Sequence, residues 1–204
     1  MCTRFFIDKS QEEIAPITEL ACRSPLARRF VAAGDPLKTD GEIRPADVVP
    51  VIAPDPRGRR SVYPMKWGFT VKEHGNLIFN ARSESASSKP AFRGSWASRR
   101  CIVPASYYFE WKHYTQDGRT KTGEKYSIQP RGYDTAWLCG LYRIEDGFPV
   151  FVILTRDAAG DIQSIHDRMP VMLPQDMITP WVTPESDPTP IILRALTDMV
   201  AEKV

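Results

Sequence analysis

Apolar positions recur at helical spacing near the start of this chain, and from about residue 48 onward the period shortens to that of strands, with a few further helical stretches between them. Ile14, Ile17, Leu20 and Ala21 recur at helical spacing, and Ser10-Gln11-Glu12-Glu13 reads as a capping box ahead of them. Pro16 sits deep enough in this stretch to kink the helix or delay its start. Ser24-Pro25 reads as a second start, with proline at the first helical position and Gly34 just past the end. Residues 2–7 predict a short strand, and 35–47 are polar and rich in turn formers. The stretches Val48–Ala53, Ser61–Thr70, Cys101–Val103, Ala105–Tyr114, Lys125–Gln129, Thr135–Arg143 and Phe148–Thr155 then read as strands, rich in β-branched and aromatic residues. Turn signals at Asp55-Pro56-Arg57-Gly58, Gln116-Asp117-Gly118 and Glu145-Asp146-Gly147 separate several of them. Helical stretches are predicted near 83–98, 158–166 and 174–182, with a short amphipathic helix at about 190–204. The pattern predicts a single α+β domain over 1–204, mostly antiparallel sheet forming a distorted β-barrel-like core with flanking short helices.

Composition sharpens this in three ways. Eighteen prolines among 204 residues, nearly twice the usual ~5%, favour short strands and turns over long helices. The net charge is only +2, which excludes a bulk polycation. Arginines nonetheless outnumber lysines two to one, and residues 1–102 hold 17 basic against 11 acidic groups, a surplus of +6 over a half-chain. Arginine suits bidentate phosphate contacts and stacking, so a local anion site is favoured while a plain solvated surface remains the alternative. No run approaches the ~18 apolar residues of a membrane span, and the start lacks a secretory signal, so a cytoplasmic protein is expected, with a monomer as the default. The cysteines at 2, 22, 101 and 139 and the histidines at 74, 113 and 166 lack zinc-site spacing. Neither disulfide, metal nor organic cofactor is expected, and Cys22, Cys101 and Cys139 read as core residues.

Four segments carry polar residues that folding alone does not demand. Cys2 follows Met1; removal of the methionine leaves an α-amine and a thiol on adjacent carbons. Such a 1,2-aminothiol condenses with an aldehyde to an imine, and the thiol then closes a thiazolidine ring; a cysteine that merely follows the initiator methionine is the alternative. Asn80 stands at an apolar strand end, one residue before Ala81-Arg82; its amide can orient a reacting amine while Arg82 meets a phosphate, or it can simply cap the next helix. In the block from Arg100 to Trp111, Tyr107, Phe109 and Trp111 share one strand face and Tyr108, Glu110 and Lys112 the other. Partial burial there would raise the pKa of Glu110 and suit it to acid–base work; a surface ion pair is the alternative. Thr155 and the cluster Ile165-His166-Asp167-Arg168-Met169-Pro170 form the fourth segment, in which His166 can donate a proton beside an anionic ligand or serve a structural role.

Met1-Cys2-x-Arg4, Trp67-Gly68, Asn80-Ala81-Arg82-x-Glu84, the Cys101-to-Trp111 block with Phe109-Glu110-Trp111, and Ile165-His166-Asp167-Arg168-Met169-Pro170 together resemble the motifs of the SRAP family, the SOS-response-associated peptidase or abasic-site processing proteins, within residues 1–175. The resemblance implies binding of single-stranded DNA containing abasic sites and a covalent thiazolidine link between the processed N-terminal Cys2 and the ring-opened sugar aldehyde. It implies catalytic roles for Cys2 as nucleophile, Asn80 holding the amine, Glu110 shuttling protons and His166 assisting sugar-ring opening. It implies DNA contacts from Arg4, Arg82 and Arg168, a stacking surface at Trp67 and a place for Thr155 at the rim. No metal or cofactor is implied; autoproteolytic removal of Met1 is. Thr3 departs from the small residue, commonly glycine, that the family places after the cysteine. Two other readings stand beside a DNA–protein crosslinking enzyme of lyase-like chemistry: an N-terminal-nucleophile peptidase, and a non-catalytic single-stranded nucleic-acid binding module.

Overall fold

A computed structural model of the protein describes residues 2–71, 75–116 and 118–204. The fate of Met1, the turn at Asp117 and the placement of His74 lie outside the described residues. The strands in chain order are β1 (Arg4–Ile7), β2 (Gly41–Ile43), β3 (Val48–Pro54), β4 (Arg60–Trp67), β5 (Phe69–Thr70), β6 (Leu77–Ile78), β7 (Asn80–Arg82), β8 (Arg100–Ala105), β9 (Tyr107–Gln116), β10 (Arg119–Pro130), β11 (Ala136–Glu145), β12 (Phe148–Asp157), β13 (Arg168–Pro170), β14 (Met172–Leu173) and β15 (Met199–Lys203). Among the described residues six short α-helices, α1 (Ala15–Arg23), α2 (Pro25–Ala32), α3 (Ser83–Ala86), α4 (Arg93–Ser98), α5 (Ile178–Val182) and α6 (Pro188–Ile192), flank them.

Among the described residues three sheets are built from these strands, the smallest being β5 paired with β6. The first runs β15-β10-β9-β1-β2. In the second, β12 pairs β4, β4 pairs β3, β3 pairs β8, β8 pairs β11 and β11 returns to β12, so five strands close on themselves. Closure removes the exposed edges of an open sheet. Because side chains alternate across a strand, each strand of this ring buries two faces. One face, with Val49, Met65, Trp67, Val103 and Phe151, shares a core with Phe5, Ile7, Tyr108 and Ile128 of the first sheet. The other, with Ile52, Ile102, Trp137 and Val152, packs under Ile17, Phe92, Ile178 and Trp181 of the helical layer. The mostly antiparallel α+β architecture expected from the strand pattern is thus present.

Several local expectations are corrected. The first helix begins at Ala15, with Pro16 in its first turn where the missing N–H is harmless. Ser10 makes no capping box; its hydroxyl and amide both bond to Asp8. The buried stripe of α1 is Ile17, Thr18 and Ala21, which turns Leu20 and Cys22 outward, so Cys22 is not a core residue. Cys101 and Cys139 are buried as expected. The stretch 83–98 divides into α3 and α4 around Pro90, and 158–166 holds only a 3-10 turn at Gly160–Ser164. The helix expected at 190–204 is replaced by a strand: β15 pairs with Tyr126–Pro130 of β10 and carries Met199 into the core. An open sheet edge outweighed a weak helical period there.

Arg100 holds the helical layer to the ring. It is fully buried, and its guanidinium donates to the carbonyls of Trp96, Ala97, Trp181, Thr183 and Ser186 at 2.5–2.9 Å. These are the unsatisfied C-terminal carbonyls of α4 and α5 and of the chain just beyond. Burial lowers its pKa, with Asp187 and Glu185 acting the other way.

Candidate active site

The four candidate catalytic residues come from three places that the topology joins. β1 pairs with β9 so that Arg4 faces Phe109 and Phe5 faces Tyr108, which carries the preceding Cys2 toward Glu110. β7 lies parallel to β12, with Asn80 beside Ile153 and Arg82 beside Thr155. β13 pairs with the opposite side of the same stretch of β12, Arg168 facing Asp157, and this brings His166 in from the preceding turn.

Cys2 is fully buried, and its thiol donates to the Arg4 carbonyl at 3.7 Å. The Asn80 side-chain amide donates to the Cys2 carbonyl at 2.7 Å. That contact rules out the capping reading of Asn80: α3 has Arg82 at its N-cap, without a side-chain bond. Burial pushes the Cys2 thiol well above its ordinary range, and the Glu110 carboxylate adds to this. Glu110 itself is 3% exposed, so its carboxylate lies inside and not at the surface, and one of its oxygens accepts the Trp111 main-chain N–H at 3.3 Å.

His166 is held by its own turn. The Arg168 main-chain N–H donates to Nδ1 at 2.9 Å, so in the neutral ring the proton sits on Nε2. The exposed Asp167 carboxylate also reaches Nδ1, at 2.7 Å. One nitrogen cannot accept and donate together: the main-chain bond belongs to the neutral ring and the carboxylate bond to the imidazolium. Burial holds the His166 pKa below its usual value, although the charge of Glu110 pulls it upward. The His113 ring stands 6.1 Å from that of His166, edge to face.

The residues expected to meet DNA divide. Arg82 is exposed. Arg4 is partly exposed and donates to Glu42 at 3.1 Å, which Arg44 and Lys125 also contact. Trp67 is a correction. It is fully buried, parallel to Phe151 at 6.2 Å and against Phe5 at 5.1 Å, so it offers no face to a base. Its indole N–H donates to the Phe79 carbonyl at 2.8 Å, which fixes the residue before Asn80. Gly68 turns the chain away at φ +128°, directly over Leu77, where a side chain would be both strained and crowded.

Thr155 and Arg168 are also inside, not at a rim. Thr155 is fully buried, and the Arg168 side chain is 8% exposed. The Arg168 guanidinium makes a two-pronged bond to Glu84 at 2.9 Å, contacts Asp157, and donates to the Thr155 carbonyl at 2.8 Å. Burial acts to raise the Glu84 carboxyl, but the Arg168 bonds prevail and hold it below the usual carboxylate range. Arg168 therefore ties the Asn80–Glu84 segment, β12 and the His166 turn together.

Glu42, Glu84, His113 and Tyr108 belong to this neighbourhood without having been singled out for a role. Alternation from Glu110 does place Tyr108 on the same strand face, and Glu84 stands in the Asn80-Ala81-Arg82-x-Glu84 motif without a role of its own; nothing in the sequence marks Glu42 or His113. Among the described residues no three His, Cys, Asp or Glu side chains gather as metal ligands would, and no helix is long and apolar enough to cross a membrane. A groove of about 690 Å³ lined by Ile17, Leu20, Arg23, Arg60 and Tyr63 holds none of the four candidate catalytic residues.

Known proteins match both fold and sequence. A phage-related protein from Bordetella bronchiseptica superposes with a TM-score of 0.74 at 22% identity, over 100% of this chain and 94% of that one. A protein from Bacteroides thetaiotaomicron does so with a TM-score of 0.72 at 21% identity, over 100% and 92%. Abasic site processing protein YoaM of Bacillus subtilis is 32% identical over 130 residues, 60% of this chain and 56% of that protein. Abasic site processing protein HMCES of Gallus gallus is 26% identical over 159 residues, 64% of this chain and 47% of that one. The chain thus spans about half the length of the curated relatives it matches. The family model described as SOS response associated peptidase (SRAP) matches residues 1–204, and the chain belongs to that family.

Proposed function

We propose that this protein captures abasic sites in single-stranded DNA by forming a thiazolidine between Cys2 and the sugar aldehyde, shielding the lesion during the response to DNA damage. The observation that carries the reading is the 2.7 Å bond from the Asn80 amide to the Cys2 carbonyl, which holds the start of the chain beside Glu110 and His166. The names of the curated relatives point to the same lesion.

An abasic sugar is mostly a closed hemiacetal, so capture starts with ring opening. In this reading His166 delivers a proton to the ring oxygen. Once Met1 is removed, the neutral α-amine of Cys2 adds to the aldehyde and water leaves with help from Glu110. The thiol then closes the ring. Asn80 restricts the terminus to the geometry in which amine and thiol meet one carbon, which replaces a search by a positioned reaction. Exposed Arg82 is available to a flanking phosphate at once, whereas Arg4 must exchange Glu42 for one.

The test is a gel shift with single-stranded DNA carrying one abasic site, run after denaturation. A retarded band for the wild type and none for Cys2→Ala supports the reading. Equal crosslinking by Cys2→Ala overturns the role of Cys2. Intact mass establishes in the same sample whether Met1 has been removed, without which no thiazolidine forms.

A further inference from the structure

Tyr108 occupies the site without a role in the chemistry above. It lies two residues before Glu110 on the same face of β9, opposite Phe5 of β1 and Ile128 of β10. It is fully buried, and its hydroxyl has no hydrogen-bond partner among the described residues. Buried tyrosine hydroxyls ordinarily find a partner, and an orphaned one destabilises the fold. Phenylalanine would fill the same space without that penalty. Burial, together with the neighbouring Cys2 thiol and Glu110 carboxylate, drives its ionisation well above the ordinary tyrosine value. The group therefore remains a neutral O–H, a fixed donor.

We propose that the Tyr108 hydroxyl is a further catalytic group of this site, donating a hydrogen bond to the Cys2 sulfur as that atom becomes a thiolate and closes the ring. The inference rests on the covalent reading above. The amine and aldehyde first give a carbinolamine, which takes up a proton and loses water to form an iminium. The Cys2 S–H proton passes to Glu110, the sulfur lone pair forms the C–S bond, and the C=N π pair moves onto nitrogen. The proton consumed in losing water is balanced by the one the thiol releases, and no oxidant or reductant is needed. Tyr108 keeps its own proton throughout. Burial opposes formation of a thiolate at Cys2, and a neutral donor buried in the same cluster as the cysteine would offset that opposition without adding a charge.

The test compares wild type with Tyr108→Phe. Thermal unfolding should be unchanged or move upward, because an unpaired hydroxyl is lost. The pH profile of Cys2 alkylation by iodoacetamide, read on the N-terminal peptide by mass spectrometry, should shift upward by about one unit, corresponding to about a tenfold loss of thiolate at a given pH. Glu110 and the chain's α-amine, the titratable groups that act on the thiol, are the same in both proteins, so the difference reports Tyr108. Crosslinking to abasic single-stranded DNA should slow about tenfold. An unshifted alkylation profile overturns the proposal whatever the crosslinking rate. A shifted profile in a protein that never crosslinks supports the Tyr108–sulfur contact and overturns the covalent function instead.

Discussion

Arg168 separates a DNA contact from a structural clamp. Its side chain is 8% exposed and bound to Glu84, Asp157 and the Thr155 carbonyl. Replacing it with methionine keeps much of the stem's packing and removes every polar bond. The Thr155 carbonyl is buried and loses a charged donor, a loss of about 1–3 kcal/mol. Glu84 is 48% exposed and rehydrates, so its two-pronged ion pair contributes only about 1 kcal/mol. Asp157 is 86% exposed and adds little. Arg168→Met should thus lower stability by about 2–4 kcal/mol, read as a fall in the urea midpoint at constant m-value. Arg168→Lys, which keeps the charge but not the fork, should fall between. The salt dependence of binding to single-stranded DNA should not change in slope, because no phosphate contact is lost. Exposed Arg82 should behave oppositely: Arg82→Gln should reduce that slope by about 0.7 and leave stability alone. If Arg168→Met keeps its midpoint and loses about 0.7 from the slope, the guanidinium reaches a phosphate and the clamp argument is wrong.

Asn80→Ala removes one hydrogen bond to the terminus, worth about 1 kcal/mol, and the orientation it provides; single-turnover crosslinking should slow about tenfold or more while equilibrium DNA binding is retained. The folded-state pKa of His166 is lowered, first by burial, from an unfolded value near 6.5. Its contribution to stability is therefore full above about pH 6.5 and lost as pH falls toward the folded value, a slope that His166→Gln should remove from pH-dependent denaturation. If His166 opens the sugar by proton donation, the wild-type to His166→Gln crosslinking ratio should grow from about pH 8 to pH 5, since the amine's own titration cancels in the ratio. Arg100→Met strands the carbonyls of Trp96, Ala97, Trp181, Thr183 and Ser186; urea denaturation should show a loss of roughly 3–5 kcal/mol with crosslinking rates intact below the transition.

Strands were the legible part of this chain. β3, β11 and β12 announce themselves because both of their faces are buried, which demands near-continuous β-branched and aromatic runs. The C-terminal strand did not, because its partner β10 is about seventy residues away and a five-residue segment carries little period of its own. Helix α1 was legible in kind but not in rotation. A nine-residue helix with a proline in its first turn leaves the buried stripe to be set by contact with β3 and β4, and Leu20 and Cys22 fell outside it. The chemistry-bearing residues were identified more readily than the surroundings that define their roles. Trp67, Thr155 and Arg168 look from sequence like a base platform, a rim and a phosphate ligand; burial gives each a different task.

That difference bears on how such a site can work. On the proposed reading the nucleophile has to meet a bulky DNA aldehyde, yet Cys2 is fully buried and its thiol is poorly acidic there. The terminus is not free to search: Asn80 holds its carbonyl, Trp67 holds the residue before Asn80 through the Phe79 carbonyl, and Arg168 locks the segment just after. Each of these anchors is an inward-facing residue on a strand of the closed ring or beside one, where packing fixes the rotamer. The reacting carbon must therefore be brought to the cysteine, and an abasic nucleotide, which lacks the bulk of a base, is the nucleotide that can come that close. On the proposed reading, selectivity for the lesion would follow from the depth of the nucleophile as much as from any contact to DNA. Substitutions that loosen the anchors, Asn80→Ala and Arg168→Met, should on this argument lose rate on the abasic strand while gaining reactivity of Cys2 toward iodoacetamide. A loosened terminus that reacts no faster with the small reagent would show that depth is not what restrains the thiol.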